Sequence, residues 1–303
     1  MQNKMILVAG ATGNLGERIV RALLHMNIPV RILTRESSNK EKVIQLENLG
    51  AQVFTVDMNN VEEISNACLG VSCIVSAIAG LKDVVIDQQK RILDAAIKAG
   101  VPRFIPSDYS LDFIPFKDGE NRNLDWRREF HKYLDKQAIK ATSIFNGAFA
   151  DMLTKEMPLI LFKKHKIFFW GNEHQLMNFT YMDDVAHYTA LVAIDDHSPR
   201  YLHIASSQLC ALDFKNMMTE LSGKKYSYLR PGGLGLFKIM IKLTQFFSPS
   251  KNELYPAWQG MQYMHNMLDA RSIVNPLDND RYDTMKWTNV KDVLKEYLKN
   301  NQL

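Results

Sequence analysis

Cysteine is scarce in this sequence, and its few occurrences form no metal-binding pattern. Cys68, Cys73 and Cys210 are an odd number in a chain of 303 residues and do not show the paired ligand spacing of a zinc site. Small secreted domains depend on many more cysteines, which they use in disulfides. We therefore expect three reduced thiols, a cytoplasmic location and no metal site.

Long apolar runs and large blocks of one charge are also missing. No run approaches the ~20 apolar residues of a membrane-spanning helix, and no signal-peptide pattern opens the chain. The 37 basic and 33 acidic residues leave a formal net charge of only +4. A basic run at 163–166 precedes the aromatic segment 167–170, which favours a solvated hairpin turn ahead of a core strand over a nucleic-acid contact. We expect neither a membrane nor a nucleic acid as a partner.

The N-terminal segment carries the strongest positive signal. An apolar run at 5–9 leads into a glycine-rich turn, and the turn leads into an amphipathic pattern over 18–24. A strand, a glycine turn and a helix in this order leave backbone N–H groups at the positive end of the helix dipole, where a pyrophosphate can bind. The alternative is a tight turn that binds nothing. The predicted dinucleotide-binding residues of this turn are Gly10, Thr12, Gly13, Asn14, Leu15 and Gly16.

The end of the second predicted strand indicates which dinucleotide binds. This strand, at 29–35, ends at Arg35, which Glu36, Lys40 and Lys42 follow. A basic residue here accommodates the 2′-phosphate of NADP, whereas an acidic residue would hold the ribose hydroxyl of NAD. Arg35 and Lys40 therefore favour NADP(H), although Glu36 fits NAD and all these charges could simply be solvated.

Strands and helices continue to alternate along the first half of the chain. Apolar runs at 52–57, 73–78 and 103–107 are separated by helical patterns, which is typical of a doubly wound parallel (Rossmann) sheet with helices on both faces. Its ligand belongs at the carboxyl ends of the strands. The residues predicted to contact the cofactor there are Asp57, near the adenine ring, Ala77 and Ser107, and Asn146, which is either a cofactor contact or a pocket wall.

The second half of the chain predicts a smaller α/β substrate domain. We place the dinucleotide-binding domain at 1–154, with 178–206 returning to it, and a substrate or lid domain at 155–303. A single sixth strand over 139–149, a helix over 149–161 and a strand at 201–205 that rejoins the main sheet are expected. The apolar helix at 236–247 is expected to cover a ligand pocket or an oligomer surface, so a homodimer is possible.

Several motifs resemble one known family. The segment Gly10–Gly16 is similar to the glycine motif of atypical short-chain dehydrogenase/reductases, and 104–109 (Phe-Ile-Pro-Ser-Asp-Tyr) resembles the Phe-(Ile/Phe)-Pro-Ser-Glu-Phe stretch of their NmrA-like and isoflavone-reductase-like branch. Segments 139–149 and 279–282 also fit this branch. The resemblance implies NADPH binding and, as in the plant enzymes, reduction of phenylpropanoid-type aromatic substrates. Another member of the branch binds the dinucleotide without turning it over.

The chain departs from this family where the catalyst should lie. The catalytic lysine of the family falls on Arg127, and the tyrosine of the wider family falls on Asn123. Arginine is a poor general acid because its pKa lies above about 12. His131, four residues later on the same helical face, is the predicted substitute acid, or else a surface histidine. Tyr109 either lines the pocket or donates the proton.

Two functions remain open at this point. The first is an NADPH-dependent reductase of a small, apolar, aromatic substrate, in which the nicotinamide supplies hydride. The second is a non-catalytic NADP-binding protein that reports redox state to a protein partner. The substitution at Arg127 favours the second function, and the apolar helix at 236–247 favours the first.

Overall fold

A computed structural model of the chain describes residues 4–250 and 252–301. These residues form two compact units. The first contains the described residues up to 109 together with 123–144 and 183–202, and the second contains 110–122, 145–182 and the described residues from 203 onwards. Within the described ranges, no helix is long and apolar enough to cross a bilayer, and no group of His, Cys, Asp or Glu side chains could hold a metal ion.

A six-stranded parallel sheet forms the first unit, in the order β3-β2-β1-β4-β5-β6. This confirms the predicted doubly wound fold. Ile6, Leu7 and Val8 have no solvent exposure, as expected for a strand covered on both faces. The order reverses between β1 and β4, which is where such folds bind ligands. The strands are β1 Met5–Ala9, β2 Val30–Thr34, β3 Gln52–Thr55, β4 Val71–Ser76, β5 Arg103–Ile105 and β6 Lys140–Ala141.

Amphipathic helices connect these strands. Asn39 and Asn60 cap α2 and α3 by accepting hydrogen bonds from backbone N–H groups of the first turn, which fixes where each helix begins. A π-helical segment, Asp83–Gln88, leads directly into α4. The connecting helices are α1 Asn14–His25, α2 Lys40–Asn48, α3 Val61–Cys68, α4 Gln89–Lys98 and α5 Arg122–Leu134. A further helix, α6 Met182–Ile194, comes after the last strand of this sheet.

The predicted sixth strand over 139–149 is wrong as a single element. The segment is divided into β6, β7 (Ser143–Phe145) and β8 (Ala148–Phe149). Gly147 interrupts it with a left-handed φ of 66°, and a Cβ there would lie 2.2 Å from the Asn178 carbonyl oxygen. β7 pairs with β12 (Tyr201–His203) in a separate two-stranded sheet. The expectation that the strand at 201–205 rejoins the main sheet is therefore also wrong.

The helix predicted over 149–161 does not form. A short 3₁₀ turn at Ala150–Thr154 is followed by strand β9 at Ile160–Leu161. Pro158 explains the difference, because proline lacks the N–H group that a continuing helix needs.

The basic run does form a turn ahead of a strand, as predicted: His165 adopts a left-handed φ of 48° and β10 spans Lys166–Phe168.

Two three-stranded sheets and several helices make up the second unit. One sheet has the order β13-β11-β8 and the other β14-β10-β9. Phe179 and Phe214 pack edge to face in its core, with ring centroids 5.4 Å apart. Its remaining strands are β11 Met177–Thr180, β13 Ser207–Leu209 and β14 Ser227–Leu229. Its helices are α7 Ala211–Ser222, α8 Leu234–Phe247, α9 Ala257–Met267 and α10 Val290–Asn301, with 3₁₀ turns at Phe162–Lys164, Ala270–Ser272 and Asn279–Arg281.

Candidate functional site

The glycine turn lies between β1 and α1, next to the end of β4. Gly10 has a φ of 82°, and a Cβ on it would lie 2.6 Å from the Ala77 carbonyl oxygen. A Cβ on Gly16 would lie 2.1 Å from the Gly10 carbonyl oxygen. These two glycines are therefore required by the fold itself. Gly13 differs, because its φ of −76° suits any residue and the nearest atom to its added Cβ, the Gly10 carbonyl oxygen, is 3.1 Å away.

The N-terminus of α1 has no side-chain cap. Gly13 occupies the N-cap position, where most helices carry a side chain that accepts from the first N–H groups. Gly13 and Asn14 are exposed, Thr12 and Leu15 are half-buried, and Gly16 is buried. The first turn of the helix thus presents backbone donors and the positive end of the dipole on an open surface, which is the arrangement that binds phosphate.

Basic side chains lie beside this turn. Lys42 Nζ donates to the Thr12 carbonyl oxygen at 3.3 Å and pairs with Glu17 at 3.0 Å. The hydrogen bond from Lys42 is the main reason that the pKa of Glu17 is lowered. Arg35 and Lys40 are both exposed, just after β2 and at the start of α2. Lys42 contacts the turn in the structure, whereas Lys40 is the lysine predicted to bind the cofactor.

Two further predicted cofactor residues follow strands of the same sheet. Asp57 lies two residues beyond β3, is exposed, and accepts hydrogen bonds from the backbone and side chain of Asn59. Ala77 comes directly after β4, and its N–H donates to the Ala9 carbonyl oxygen at 2.8 Å. Ala77 and Gly10 therefore lie together, while Asp57 is at the end of the outermost strand, β3.

Ser107 is a junction among elements of the first unit. Its N–H donates to Gln89 Oε1 at 2.9 Å, its hydroxyl donates to the Ile78 carbonyl oxygen at 2.7 Å, and its carbonyl oxygen accepts from Arg127 Nε at 3.0 Å. Arg127 also donates to the Asn123 carbonyl oxygen one turn earlier, at 3.2 Å. Arg127 is half-buried and is held at the carboxyl end of β5, so its position is set by the backbone of Ser107.

His131 is buried, so the interpretation of it as a surface histidine is wrong. Its Nε2 lies 2.6 Å from Asp108 Oδ2, and its Nδ1 lies 3.3 Å from Arg200 Nη2. Because a guanidinium group only donates, Nδ1 accepts and Nε2 carries the proton that is donated to Asp108. Ser143 donates to the same Asp108 oxygen at 2.6 Å and accepts from Arg200 at 2.7 Å. We call these four residues the Asp108 network.

Burial acts against the charge on Asp108, which has no solvent exposure. Burial alone raises the pKa of this carboxyl group, but interaction with His131, the hydrogen bond from Ser143 and the charge of Arg127 together lower it below its ordinary value. Asp108 is therefore a carboxylate within the core, and its partners compensate the loss of solvation. The network ties α5 to the residues that follow β5.

Two other predicted site residues are also buried. Burial raises the pKa of Tyr109, so its phenol is a weaker acid than a free tyrosine. Asn146 belongs to the second unit and has no exposure; its N–H donates to the Ser110 carbonyl oxygen and its carbonyl oxygen accepts from Thr180.

Burial also raises the pKa of Cys68 and of Cys73 to about 12, which makes these free cysteines unreactive.

Comparison with known proteins identifies the family. The NmrA-like family matches residues 2–261, which is most of the chain. The chain belongs to the NmrA-like family. It is 24% identical over 323 residues to the bifunctional pinoresinol-lariciresinol reductase 2 of Thuja plicata, covering 98% of this chain and 99% of that protein.

Solved structures of the same fold agree with this family assignment. An isoflavone reductase is 18% identical with a TM-score of 0.81, covering 98% of this chain and all (100%) of that chain. The structure of AtPrR2 with NADP+ and (+)pinoresinol is 20% identical with a TM-score of 0.80, covering 98% and 99% of the two chains. At these identities the likeness establishes the fold, and the predicted resemblance to isoflavone-reductase-like proteins is confirmed.

Several residues that organise the site were not predicted from the sequence. Arg18 hydrogen-bonds to Asn14 at 3.3 Å and pairs with Asp183, so two charges lie at the start of α1. Gln89, Ser143 and Arg200 bind residues that are 18 to 69 positions away. Only the spacing of Arg18, four residues after Asn14 on one helical face, was readable from the sequence.

Proposed function

We propose that the chain is an NADPH-dependent reductase of a small, apolar, aromatic substrate. The observation that carries this proposal is the open, uncapped glycine turn at the point where the strand order reverses. Relatives that match nearly the full length are named as reductases of pinoresinol and lariciresinol, and both are phenolic compounds. We extend the reaction class, rather than the particular substrate, to this chain.

The residues of the turn fit a pyrophosphate. Gly13 has no side chain to occupy the space in front of the helix, and no side chain caps the N–H groups of the first turn of α1. Arg35 and Lys42 supply positive charge for a 2′-phosphate. The small side chain of Ala77 leaves room for the cofactor at the end of β4. NADPH bound here would supply the hydride.

In this proposal Arg127 stabilises the negative charge that develops on the substrate. Its guanidinium group is anchored by Nε to Ser107, which fixes the direction of the side chain. A cation held in a fixed position where negative charge develops is an effective electrostatic catalyst. His131 has both nitrogens engaged inside the protein, so we assign it to holding α5 in place rather than to donating a proton. Tyr109 remains the candidate proton donor.

The test is NADPH oxidation with pinoresinol, isoflavones and aromatic ketones, measured for the unmodified protein, Arg127→Ala and Arg127→Lys. Loss of a preorganised charge should lower turnover by about 10²-fold or more in Arg127→Ala, with NADPH affinity little changed. Arg127→Lys should recover part of the rate because it restores the charge. Equal rates for all three proteins would remove Arg127 from the proposed mechanism.

A non-catalytic NADP-binding sensor is the second candidate. The observation that favours it is the absence of both expected catalytic side chains, since Arg127 and Asn123 stand at their positions. Under this alternative NADPH binds and no substrate is reduced. A protein partner would then associate differently with the NADP+ and NADPH forms, which a pull-down in the presence of each nucleotide would show.

A further inference from the structure

Helix α8 carries two separate apolar faces. On one face Phe237 and Ile241 are buried, and the Phe237 ring stacks on Trp170 with ring centroids 4.6 Å apart. This contact anchors the helix to its own unit. The opposite face carries six large apolar side chains that remain exposed to solvent. They are Leu236, Ile239, Met240, Leu243, Phe246 and Phe247.

The exposure of this second face is large for a folded protein. Phe246 and Phe247 are each 79% exposed and Ile239 is 56% exposed. The six residues follow the spacing of one helical stripe, so they form one continuous surface, which we call the α8 apolar face. Rotation of α8 cannot bury this face, because Phe237 and Ile241 fix the helix. A contiguous exposed apolar surface of this kind usually contacts a partner.

Helix α8 and the chain segments next to it in sequence carry charges of one sign. Between Glu220 and Glu253 the sequence contains six basic residues and no acidic residue. Lys238 and Lys242 are exposed on α8 itself, on the side next to the apolar stripe. Lys224, Lys225 and Arg230 are exposed in the segment that leads into the helix. Any partner must therefore accept apolar side chains and a positive border together.

This charge pattern distinguishes between two possible occupants. A second copy of the chain would pair the face with itself about a two-fold axis and bring Lys238 and Lys242 near their own copies, where like charges repel. An anionic lipid surface accepts both features, because phenylalanine enters the boundary of the acyl chains and lysine binds the headgroups. We propose that the α8 apolar face binds the surface of anionic membranes, with α8 lying on the bilayer rather than crossing it.

The experiment is flotation of the full-length protein with vesicles of phosphatidylcholine alone or with about one-third phosphatidylglycerol. Binding is expected to the anionic vesicles only, and it should weaken in high salt because salt screens the lysines. Phe246→Ser with Phe247→Ser should weaken binding at least about tenfold. Lys238→Gln with Lys242→Gln should weaken it roughly 25-fold.

A matched control distinguishes binding through the α8 apolar face from nonspecific binding through any exposed apolar residue. Ile44 and Leu69 are 55% and 56% exposed on the first unit, and Ile44→Ser with Leu69→Ser should bind vesicles like the unmodified protein. Equal binding to neutral vesicles, no binding to anionic vesicles, or binding that the Phe246 and Phe247 changes leave intact would each overturn the proposal. The face would instead be assigned to a second copy if the protein bound no vesicles and formed a dimer in light scattering that Phe246→Ser with Phe247→Ser converted to a monomer.

Discussion

At the scale of single residues, the three glycines of the N-terminal turn are not equivalent. Added Cβ atoms at Gly10 and Gly16 would meet backbone atoms at 2.6 and 2.1 Å, so substitutions there disrupt the fold. Gly13 has an ordinary φ and an exposed position, so its lack of a side chain is explained better by a ligand than by the fold. It is therefore the residue at which cofactor binding can be separated from stability.

Gly13→Val is expected to abolish NADPH binding while lowering the free energy of unfolding by about 1 kcal/mol, because its Cβ has only one close contact. Calorimetric titration with NADPH measures the first effect and thermal unfolding the second. Gly233→Val is the matched control, because Gly233 is the N-cap of α8 with a similar φ of −85° and no atom within 4 Å of an added Cβ. Unchanged affinity in folded Gly13→Val would place the cofactor elsewhere.

We expect Arg35 to determine the preference for NADPH over NADH. We expect NADPH to bind at least about tenfold more tightly than NADH, a difference of about 1.4 kcal/mol. Arg35→Ala should remove most of that preference and leave NADH affinity unchanged, because only NADPH carries the 2′-phosphate. Lys224→Ala, which removes an exposed charge in the second unit, should change neither affinity. Equal affinities in the unmodified protein would point to Glu36 and NAD instead.

At the scale of elements, the Asp108 network joins α5 to the segment after β5 and to β7. Asp108→Asn removes the buried carboxylate that accepts hydrogen bonds from His131 and Ser143, so we expect a loss of about 1.5–3 kcal/mol in the free energy of unfolding near neutral pH. Denaturant unfolding measures it. Asp135→Asn is the control, because its ion pair with Arg200 is exposed and should contribute about 0–1 kcal/mol.

The sign of the pH dependence follows from the lowered pKa of Asp108. A carboxyl group whose pKa is lower in the folded state contributes its full stability above the unfolded value of about 3.9. That contribution is lost as the pH falls through the folded pKa. The difference in stability between the unmodified protein and Asp108→Asn should therefore be constant near neutrality and shrink below about pH 4. A difference that grows in acid would contradict the lowered pKa.

The alternation of strands and helices could be predicted because it depends on local patterns. The central strands β1 and β4 of the parallel sheet are largely apolar, and glycine or asparagine marks where several helices begin or end. The broken segment 139–149 could not be predicted, because β7 pairs with residues near 201 that are distant in sequence. The glycine turn was likewise readable within sixteen residues, whereas the Asp108 network joins segments near 108, 131, 143 and 200.

At the scale of the whole molecule, membership of the NmrA-like family supplies the fold and leaves the chemistry to be tested. The chain combines an open, uncapped glycine turn with an arginine at the position to which the family resemblance assigns a catalytic lysine. A reductase needs bound NADPH and a substrate that accepts hydride, whereas a sensor needs only bound NADPH. Binding measurements alone therefore cannot distinguish the two functions, and the decisive observation must follow the hydride itself.

The most direct test uses NADPH that carries deuterium on the transferred position of the nicotinamide, with pinoresinol and other aromatic compounds as substrates. The account predicts a reduced product that contains one deuterium per hydride transferred, detected by mass spectrometry, and no such product with Gly13→Val. Tight NADPH binding with no deuterium in any product would contradict the reductase and favour the sensor.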